Sequence, residues 1–321
     1  MTLARESSLI AILAGGTGAA RLLRGLVEVA DPVGLTAIVN TADDFVLHGL
    51  RISPDIDTVR FTLSDDIGEL GWGRADETWR SMRELRELSR HAPAGSRASD
   101  WFRLGDRDLA IHLYRTQRMS EGASLCEVTS ELADAAGVRV AMLPATENEV
   151  ATKLTLASGE EVDFQDYFVR RQHSVAIRSV RFAGIDVAEP APGVLEALEE
   201  AERIVVAPSN PFVSIGPILS IRGIREVMER RRDRVIAVSP IVNGQAIKGP
   251  AGRMFTELGI EPDVTSVARL WSSIASVLVV DQSDARACGA IAALGMEPVV
   301  LPTIMHDLSA SSSLAKNLLD V

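Results

Sequence analysis

Basic residues are in short supply in this sequence. Its 33 lysines and arginines stand against 44 aspartates and glutamates, for a formal net charge of −11. A nucleic-acid-binding protein needs a basic face to displace counterions, so this balance argues against nucleic acid as a partner. A local basic pocket for a small anion is still compatible with the composition.

Cysteine and long apolar runs are also scarce. The two cysteines, Cys126 and Cys288, are not part of a CxxC pair. The sequence therefore predicts neither a zinc site nor a disulfide framework, and it fits a reducing cytoplasm. The N-terminus lacks a long apolar region behind basic residues, so no signal peptide is predicted. No stretch reaches the roughly 18–20 apolar residues of a membrane span, so we expect a cytoplasmic protein without a membrane partner.

Several catalytic motifs are missing as well. The five histidines form no HxH or HxxxH pair, and only His48, close to an acidic loop, is a candidate for ligand binding. The sequence contains no Gly-x-Ser-x-Gly elbow and no P-loop ending in Gly-Lys-Ser/Thr. Hydrolases with a catalytic triad and ordinary NTPases are therefore disfavoured.

What the sequence does contain is an alternation of short apolar strands and helical patterns. Residues 10–14 and 35–39 are continuous apolar runs, typical of strands covered on both faces. The alternation predicts an α/β fold, a Rossmann-like and mostly parallel sheet flanked by helices. We expect residues 1–65 and 178–321 to form this core. Residues 66–177 are predicted to form a mainly helical insertion with a small sheet over the active-site edge.

A glycine-rich turn, Gly15-Gly16-Thr17-Gly18, joins the first strand to the first helix. Its backbone N–H groups lie at a positive helix end, which predicts a phosphate site. Arg21, on the first turn of the helix, adds a guanidinium suited to phosphate or carboxylate. Because Arg21 stands where a GxGxxG fingerprint needs its last glycine, NAD or FAD is weakly supported. The structural alternative is a turn that only starts a helix.

Carboxylates cluster after the second strand. Asp43 and Asp44 follow Asn40 in the loop, and Asp55 and Asp57 come shortly afterwards. Mg²⁺ takes one or two carboxylates and leaves its other positions to water and phosphate oxygens, so Asp43 and Asp57 are the leading candidates for metal or substrate contact. A turn cap by Asp44 and a helix cap by Asp55 are the structural alternatives.

Two later segments complete the set of candidate binding residues. Residues 101–108 combine Trp101 with Asp106 and Arg107, which suits a flat heterocycle with polar substituents; an aromatic anchor before a helix is the alternative. Residues 209–216 place short polar side chains and a glycine after a strand, which is typical of a nucleotide-handling loop at a sheet edge. Ordinary turn chemistry is the alternative for that loop.

These motifs occur in the order found in one known family. The sequence resembles the 2-phospho-L-lactate transferase family of deazaflavin coenzyme F-420 biosynthesis over about residues 9–320. The Leu-Gly-Asp-Arg-Asp-Leu segment is the most specific shared motif. The shared motifs lie at residues 13–18, 39–40 with 43–44, 48–50, 54–58, 71–73 with 77–79, 101–102, 104–109, 143–146, 207–211 and 214–219.

The resemblance implies a Mg²⁺-dependent transferase, expected to be a homodimer. It would move a phospholactyl-type group from a guanosine diphospho-adduct to the ribityl hydroxyl of the deazaflavin Fo and release GMP. The transferred acid stays open among phospholactate, phosphoenolpyruvate and phosphoglycerate. The implied catalytic residues are Asp43, Asp44 and Arg107, and the implied metal ligands are Asp43 and Asp57. The implied substrate-binding residues are Gly15, Gly16, Thr17, Gly18, Arg21, Asn40, His48, Trp101, Asp106, Ser209, Asn210, Ser214 and Gly216.

Two other functions compete with this reading. A related family of non-enzymatic, sugar-nucleotide-binding regulators shares the glycine turn and the Asn and Asp-Asp loop. Residues 101–109 favour the transferase, because they suit an acceptor pocket that the regulators do not need. A nicotinamide oxidoreductase is weakened by Arg21 and by the lack of a proton-relay histidine.

Overall fold

A computed structural model describes residues 9–69, 71–93, 101–247 and 249–321. Its strands are β1 (Ile10–Ala14), β2 (Leu35–Val39), β3 (Phe45–Leu47), β4 (Leu50–Ile52), β5 (Ala141–Pro144), β6 (Ala151–Leu156), β7 (Glu161–Asp163), β8 (Ile177–Ala183), β9 (Arg203–Val206), β10 (Val235–Val238), β11 (Ile241–Val242), β12 (Gln245–Ala246), β13 (Val277–Val280) and β14 (Glu297–Val300). Its α-helices are α1 (Gly16–Val29), α2 (Pro54–Leu63), α3 (Arg80–Ser89), α4 (Asp106–Ser120), α5 (Leu125–Ala135), α6 (Val194–Glu200), α7 (Gly216–Ser220), α8 (Ile224–Arg230), α9 (Ala251–Glu257), α10 (Val264–Trp271), α11 (Cys288–Ala293) and α12 (Leu308–Leu319). Short π-helical segments cover Asp166–Arg170 and Pro211–Ile215, and short 3-10 segments cover Pro32–Gly34, Ile185–Val187, Arg232–Arg234 and Gln282–Ala287.

Seven strands form one parallel sheet in the order β14-β13-β10-β9-β1-β2-β5. The chain starts at β1 and adds β2 and β5 on one side. It then returns to add β9, β10, β13 and β14 on the other side. The order in which strands are added therefore reverses between β1 and β9. Ligands of open α/β sheets bind at such a point, outside the carboxyl ends of the strands. The predicted Rossmann-like parallel sheet is confirmed.

Two apolar cores cover the faces of this sheet. Alternate residues of β1 divide between them: Leu13 joins the core under α6, α7, α8 and α10, whereas Ile12 joins the core under α1, α2, α5 and α12. The α1 and α12 helices approach so closely that a Cβ atom at Gly25 would lie 2.4 Å from the Ser311 carbonyl oxygen. Among the described helices, none is long and apolar enough to cross a membrane.

The range 66–177 holds more than the predicted helices and small sheet. It contributes α3, α4 and α5, and its strands β6 and β7 form an antiparallel sheet with β8. It also supplies β5, which pairs in parallel with β2 and so belongs to the main sheet. The side chain of Met142 is buried there, which gives β5 its place over the α5 core. The core sheet thus extends into the predicted insertion, and the division of the chain into two parts stays a prediction.

Candidate active site

The ends of three neighbouring strands meet at the reversal point of the sheet. The backbone N–H of Asn40, just after β2, donates to the Ala14 carbonyl at the end of β1, at 2.9 Å. The Ser209 hydroxyl, after β9, donates to the Gly15 carbonyl at 2.8 Å. The predicted glycine turn, the loop after β2 and the loop after β9 are therefore brought together at one edge.

Asp55, in the first turn of α2, links two of these loops. Its Oδ1 accepts a hydrogen bond from the Gly16 N–H at 2.8 Å, and its Oδ2 accepts one from the Asn40 side-chain amide at 2.9 Å. The Gly16 N–H, which the sequence predicts to bind phosphate, thus donates to a carboxylate of the protein itself. The helix leaves the next N–H groups, those of Thr17 and Gly18, without an intrahelical partner, so they suit a ligand.

The glycine turn is tightly packed against the loop after β9. A Cβ atom at Gly15 would lie 2.7 Å from the Ser214 Cβ, and one at Gly18 would lie 2.3 Å from the Pro208 carbonyl oxygen. The Asn210 Oδ1 accepts a hydrogen bond from the Phe212 N–H at 2.9 Å and so caps the π-helical segment that carries Ser214. Glycine is required in the turn because this loop leaves no room for a side chain.

The same loop continues into α7 through a second glycine. A Cβ atom at Gly216 would lie 2.8 Å from the Pro211 carbonyl oxygen. The Asn210 side-chain nitrogen lies 3.3 Å from the Met254 sulfur on α9. These contacts fix the predicted binding residues of the loop after β9, and their contact with substrate stays a prediction.

Asp43 is buried and Asp44 is half-buried, and each has one buried carboxylate oxygen without a hydrogen-bond partner in the described part of the chain. Among the described residues, the Oδ1 atoms of both lack a hydrogen-bond partner, and Asp44 uses its Oδ2 to accept from the Ser53 hydroxyl at 2.6 Å. Burial, followed by the charges of Asp55 and Asp44, raises the pKa of Asp43 well above its usual range. Burial also raises the pKa of Asp44. A bound cation would remove the cost of ionising both groups.

A second polar cluster lies between α2 and α4. Arg115 donates from Nη2 to the Asp57 Oδ1 at 2.5 Å, and both side chains are almost fully buried. The His112 Nε2 lies 3.3 Å from the Asp108 Oδ2, and its Nδ1 lies 3.8 Å from the Asp57 Oδ2. Burial alone would raise the pKa of Asp57, but Arg115 and then His112 hold it below its usual value. Asp57, Asp108 and His112 are close enough to hold a metal ion.

The position of Arg115 bears on that possibility. Its Nη1 lies 3.2 Å from the His112 Nδ1, and a guanidinium can only donate. We therefore assign the His112 proton to Nε2, which faces Asp108. A metal on Nε2 would require that proton to leave and Arg115 to turn away from the ring. A hard cation prefers carboxylate oxygens, which Asp43 and Asp57 carry, and their predicted role as metal ligands stays a prediction.

The predicted aromatic residue Trp101 belongs to a cluster beside the β3–β4 hairpin. Its ring centroid lies 6.3 Å from that of Phe45 and 5.6 Å from that of Phe102. His48 and Gly49 form the two-residue turn of the hairpin, with φ of +53° and +78°. Two positive φ values match a tight hairpin turn. His48 thus lies in the turn of the hairpin that follows Asp43 and Asp44, and its ligand contact stays a prediction.

Asp106 and Arg107 hold neighbouring segments in place. The Asp106 carboxylate accepts from the backbone N–H groups of Arg80 and Ser81 at 2.9 and 3.0 Å. Hydrogen bonds from Thr78 and then from these two groups keep the pKa of Asp106 low. Arg107 donates to the Ala75 carbonyl at 2.6 Å and to Asp66 at 3.1 Å. Both side chains thus have structural contacts, and their predicted roles toward substrate stay predictions.

Arg21 and Thr17 also make contacts within the protein. Arg21 donates from Nη1 to the Met305 carbonyl at 2.7 Å, and the Thr17 hydroxyl donates to the Gly71 carbonyl at 3.0 Å. Each contact ties the glycine turn to a distant part of the chain. Arg21 has further donors for the anion that the sequence predicts.

The sequence motifs include Asp108 but do not identify its buried partners His112, Arg115 and Arg60. Asp108, His112 and Arg115 recur at four- and three-residue spacing on α4, and Arg60 follows Asp57 by three residues on α2. This spacing places each set on one helix face. Charged residues repeating on the buried face of two helices were the signal that could have found them.

Asp55 gives the site a pH-dependent stability. Burial raises its pKa from 3.8 to about 6. Between these values the folded protein holds the proton that the unfolded chain releases, so the free energy of unfolding falls as pH rises. We expect Asp55→Asn to flatten this fall by up to about 3 kcal/mol between pH 4 and 6. Urea unfolding at several pH values in a chelating buffer measures this pH dependence of the free energy of unfolding. Equal slopes for wild type, Asp55→Asn and the exposed control Asp186→Asn would contradict it.

Known proteins similar to this chain belong to one transferase family. The model of the family described as 2-phospho-L-lactate transferase CofD matches residues 10–304. A phosphoenolpyruvate transferase of Streptomyces coelicolor is 41% identical over 315 residues, covering 97% of this chain and 97% of the relative. A 2-phospho-L-lactate transferase of Methanosarcina mazei is 36% identical over 306 residues, covering 95% and 97%.

The fold has solved relatives too. A crystal structure of a UPF0052 family protein from Bacillus halodurans is similar with a TM-score of 0.64, at 19% sequence identity. The match covers 98% of this chain and 100% of the other. At this identity the likeness shows the fold alone, and it agrees with the Rossmann-like sheet described above.

Proposed function

The chain belongs to the 2-phospho-L-lactate transferase CofD family. From this membership we propose that it transfers a phosphoenolpyruvate group from a guanosine diphospho-adduct to the deazaflavin Fo and releases GMP. The family match identifies a transferase, consistent with coenzyme F-420 biosynthesis. The observation that supports the finer proposal is the meeting of the glycine turn, the carboxylates after β2 and the loop after β9 at one sheet edge.

The choice of acid follows from the relatives. Phosphoenolpyruvate transferases of Streptomyces coelicolor and Kitasatospora aureofaciens are 41% and 39% identical to this chain, whereas the Methanosarcina mazei 2-phospho-L-lactate transferase is 36% identical. Their coverage is nearly the same. We therefore favour phosphoenolpyruvate among the three acids that the sequence leaves open.

The donor would lie in the crevice between the carboxyl ends of β1 and β9. The N–H groups of Thr17 and Gly18 at the α1 N-terminus suit its diphosphate. Ser209 and Asn210 border the same crevice and suit the diphosphate or the guanosine. Arg21 supplies additional positive charge one helical turn away.

The carboxylates after β2 and on α2 support the proposal of a magnesium ion. Asp43 Oδ1, Asp44 Oδ1 and Asp57 Oδ2 are all buried and lack a partner among the described residues. Oxygen ligands of this kind, completed by water and phosphate oxygens, are the set that Mg²⁺ prefers. We propose Asp43 and Asp57 as its ligands. When bound, the ion would neutralise charge on the reacting phosphates.

The transfer itself needs positioning and a proton acceptor. The Fo hydroxyl oxygen forms a bond to the distal phosphorus of the donor. The bond from that phosphorus to the bridging oxygen breaks, and GMP leaves with the electron pair. The hydroxyl proton goes to Asp43 or Asp44. Asp44 is the better candidate because it is not a proposed metal ligand, and because burial raises its pKa and so makes its carboxylate a stronger base.

Fo would lie against the aromatic cluster of Phe45, Trp101 and Phe102. This cluster adjoins α2 through the β3–β4 hairpin, so it borders the carboxylates that act on the hydroxyl. Arg107 lies at the start of the neighbouring α4. We further propose that the protein is cytoplasmic and forms a homodimer. Light scattering on the purified protein tests the dimer.

A donor comparison tests the proposed function. Purified protein is mixed with Fo, Mg²⁺ and each of three guanosine diphospho-acids, and Fo carrying the phospho-acid is quantified by mass spectrometry. We expect the phosphoenolpyruvate adduct to give at least about tenfold higher kcat/KM than the phospholactate and phosphoglycerate adducts, a ratio within reach of pocket contacts. Absence of product with every donor, from folded protein, would favour the regulator alternative. A preference for another acid would overturn the choice of phosphoenolpyruvate alone.

A further inference from the structure

Arg60 is a buried cation with two unused donors. The residue is only 4% exposed, and its Nε and Nη2 are buried without a hydrogen-bond partner among the described residues. The N–H bonds of these two nitrogens point in the same direction, and together they form one fork of the planar guanidinium. Such a fork matches the two oxygens of a carboxylate or the two oxygens of a phosphate edge.

The surroundings of Arg60 do not supply that acceptor. Asp57, the nearest opposite charge on the same helix, already accepts from Arg115 through Oδ1. Asp108 attracts Arg60 from α4, while Arg115 and Arg74 repel it. Burial lowers the pKa of Arg60, although an arginine stays protonated in proteins. A buried guanidinium with an empty fork is costly, and an anion that fills the fork removes this cost.

The location of the fork suggests which anion fills it. Arg60 lies three residues after Asp57 on α2, so the two side chains are neighbours on one helix face. Asp57 is a proposed ligand of the ion beside the reacting phosphate. In both phosphoenolpyruvate and phospholactate, the carboxylate is attached to the carbon that carries the phosphate oxygen. The carboxylate and the phosphate of the transferred acid are therefore close enough for two side chains one helical turn apart to reach both groups.

We propose that Arg60 binds the carboxylate of the transferred phospho-acid through Nε and Nη2. Arg60 thereby selects donors that carry a carboxylate over phosphate esters that lack one. The inference rests on the proposed function, because it assigns a residue to the donor of that reaction. Arg60 would recognise a feature shared by all three acids. It would not distinguish among them.

The test compares two donors in three proteins. The donors are the guanosine diphospho-phosphoenolpyruvate-type adduct and an analogue in which an isopropenyl group replaces the enolpyruvyl group, so that a methyl group stands in place of the carboxylate. The proteins are wild type, Arg60→Met and Arg60→Lys. Methionine keeps much of the volume and removes the charge, so the fold should persist; lysine keeps the charge and loses the fork.

We expect wild type to prefer the carboxylate donor by at least about 10²-fold in kcat/KM. Arg60→Met should lose most of this preference through the carboxylate donor alone, with the analogue changed by less than about threefold and the KM for Fo unchanged. Arg60→Lys should be intermediate. Arg222→Met, whose side chain is 78% exposed, is the matched control and should retain the wild-type preference.

Two results would overturn the assignment. An unchanged preference in Arg60→Met would show that the fork does not contact the carboxylate. An equal loss with both donors would place Arg60 on a phosphate or in the fold. Calorimetric binding of both donors without Fo makes the test independent of turnover, so a failure of the proposed transfer leaves the carboxylate comparison intact. Equal affinity of wild type for the two donors, or no binding of either, would also reject the role of Arg60.

Discussion

Asp43→Asn is expected to abolish transfer while leaving the protein folded. The Asp43 side chain is buried, and burial together with Asp55 and Asp44 disfavours its ionised form. Asparagine has nearly the same shape and no charge, so it removes a repulsion from the folded state. We therefore expect an unfolding midpoint equal to or above that of wild type, and a fall in kcat of roughly 10³-fold, as for loss of a key electrostatic group.

The measurement combines thermal unfolding with a magnesium titration of the transfer rate. If Asp43 holds the ion, the residual activity of Asp43→Asn should require more Mg²⁺ for half-saturation than that of wild type. Asp233→Asn, at a side chain that is 75% exposed, controls for the substitution itself. Near-normal rates for Asp43→Asn at limiting Mg²⁺ would remove Asp43 from the metal-binding set.

Arg115→Met is expected to cause the largest loss of stability. Arg115 is 1% exposed, and it supplies the only cation that donates directly to Asp57 among the described residues. Its removal leaves the Asp57 carboxylate buried and unpaired, which costs about 3–5 kcal/mol in comparable cases. Burial would then raise the pKa of Asp57, because the charge that lowers it is gone.

Two variants identify the cause of that loss. Arg118→Met removes an arginine one turn further along α4, whose partners Glu131 and Glu121 lie at the surface, and should change stability far less because water screens the pair. Adding Asp57→Asn to Arg115→Met should restore part of the stability, since no unpaired buried charge remains. Chemical unfolding measures all four proteins. A loss in the double variant as large as in Arg115→Met alone would show that packing, and not the unpaired carboxylate, is responsible.

The fold was readable where the sequence repeats a simple pattern. Continuous apolar runs such as residues 10–14 can only be covered on both faces, and the helices between them impose parallel pairing. The strand β5 escaped prediction because its four residues lie between a helix and an antiparallel hairpin. Its membership of the main sheet depends on pairing with β2, about 105 residues earlier in the chain, which no local pattern specifies.

The site was readable only in part. Residue types marked the glycine turn and the acidic loop, and the sheet brought them together. The contact of Asp55 with the Gly16 N–H joins residues 39 positions apart and depends on how α2 docks on α1. Likewise, whether Asp57 faces a cation of the protein or an ion is decided by α4, where Arg115 lies 58 positions away. Such partnerships follow from tertiary packing, and a motif cannot state them.

The first turn of α2 connects three parts of the proposed site. Ser53 contacts Asp44, Asp55 contacts Gly16, and the next aspartate reaches α4, so one rigid turn touches the sides of the crevice proposed for donor, ion and acceptor. A ligand that shifts this turn shifts all three contacts at once. Donor and acceptor should therefore influence each other's affinity by the same factor, a reciprocity that paired titrations of each substrate with and without the other would reveal.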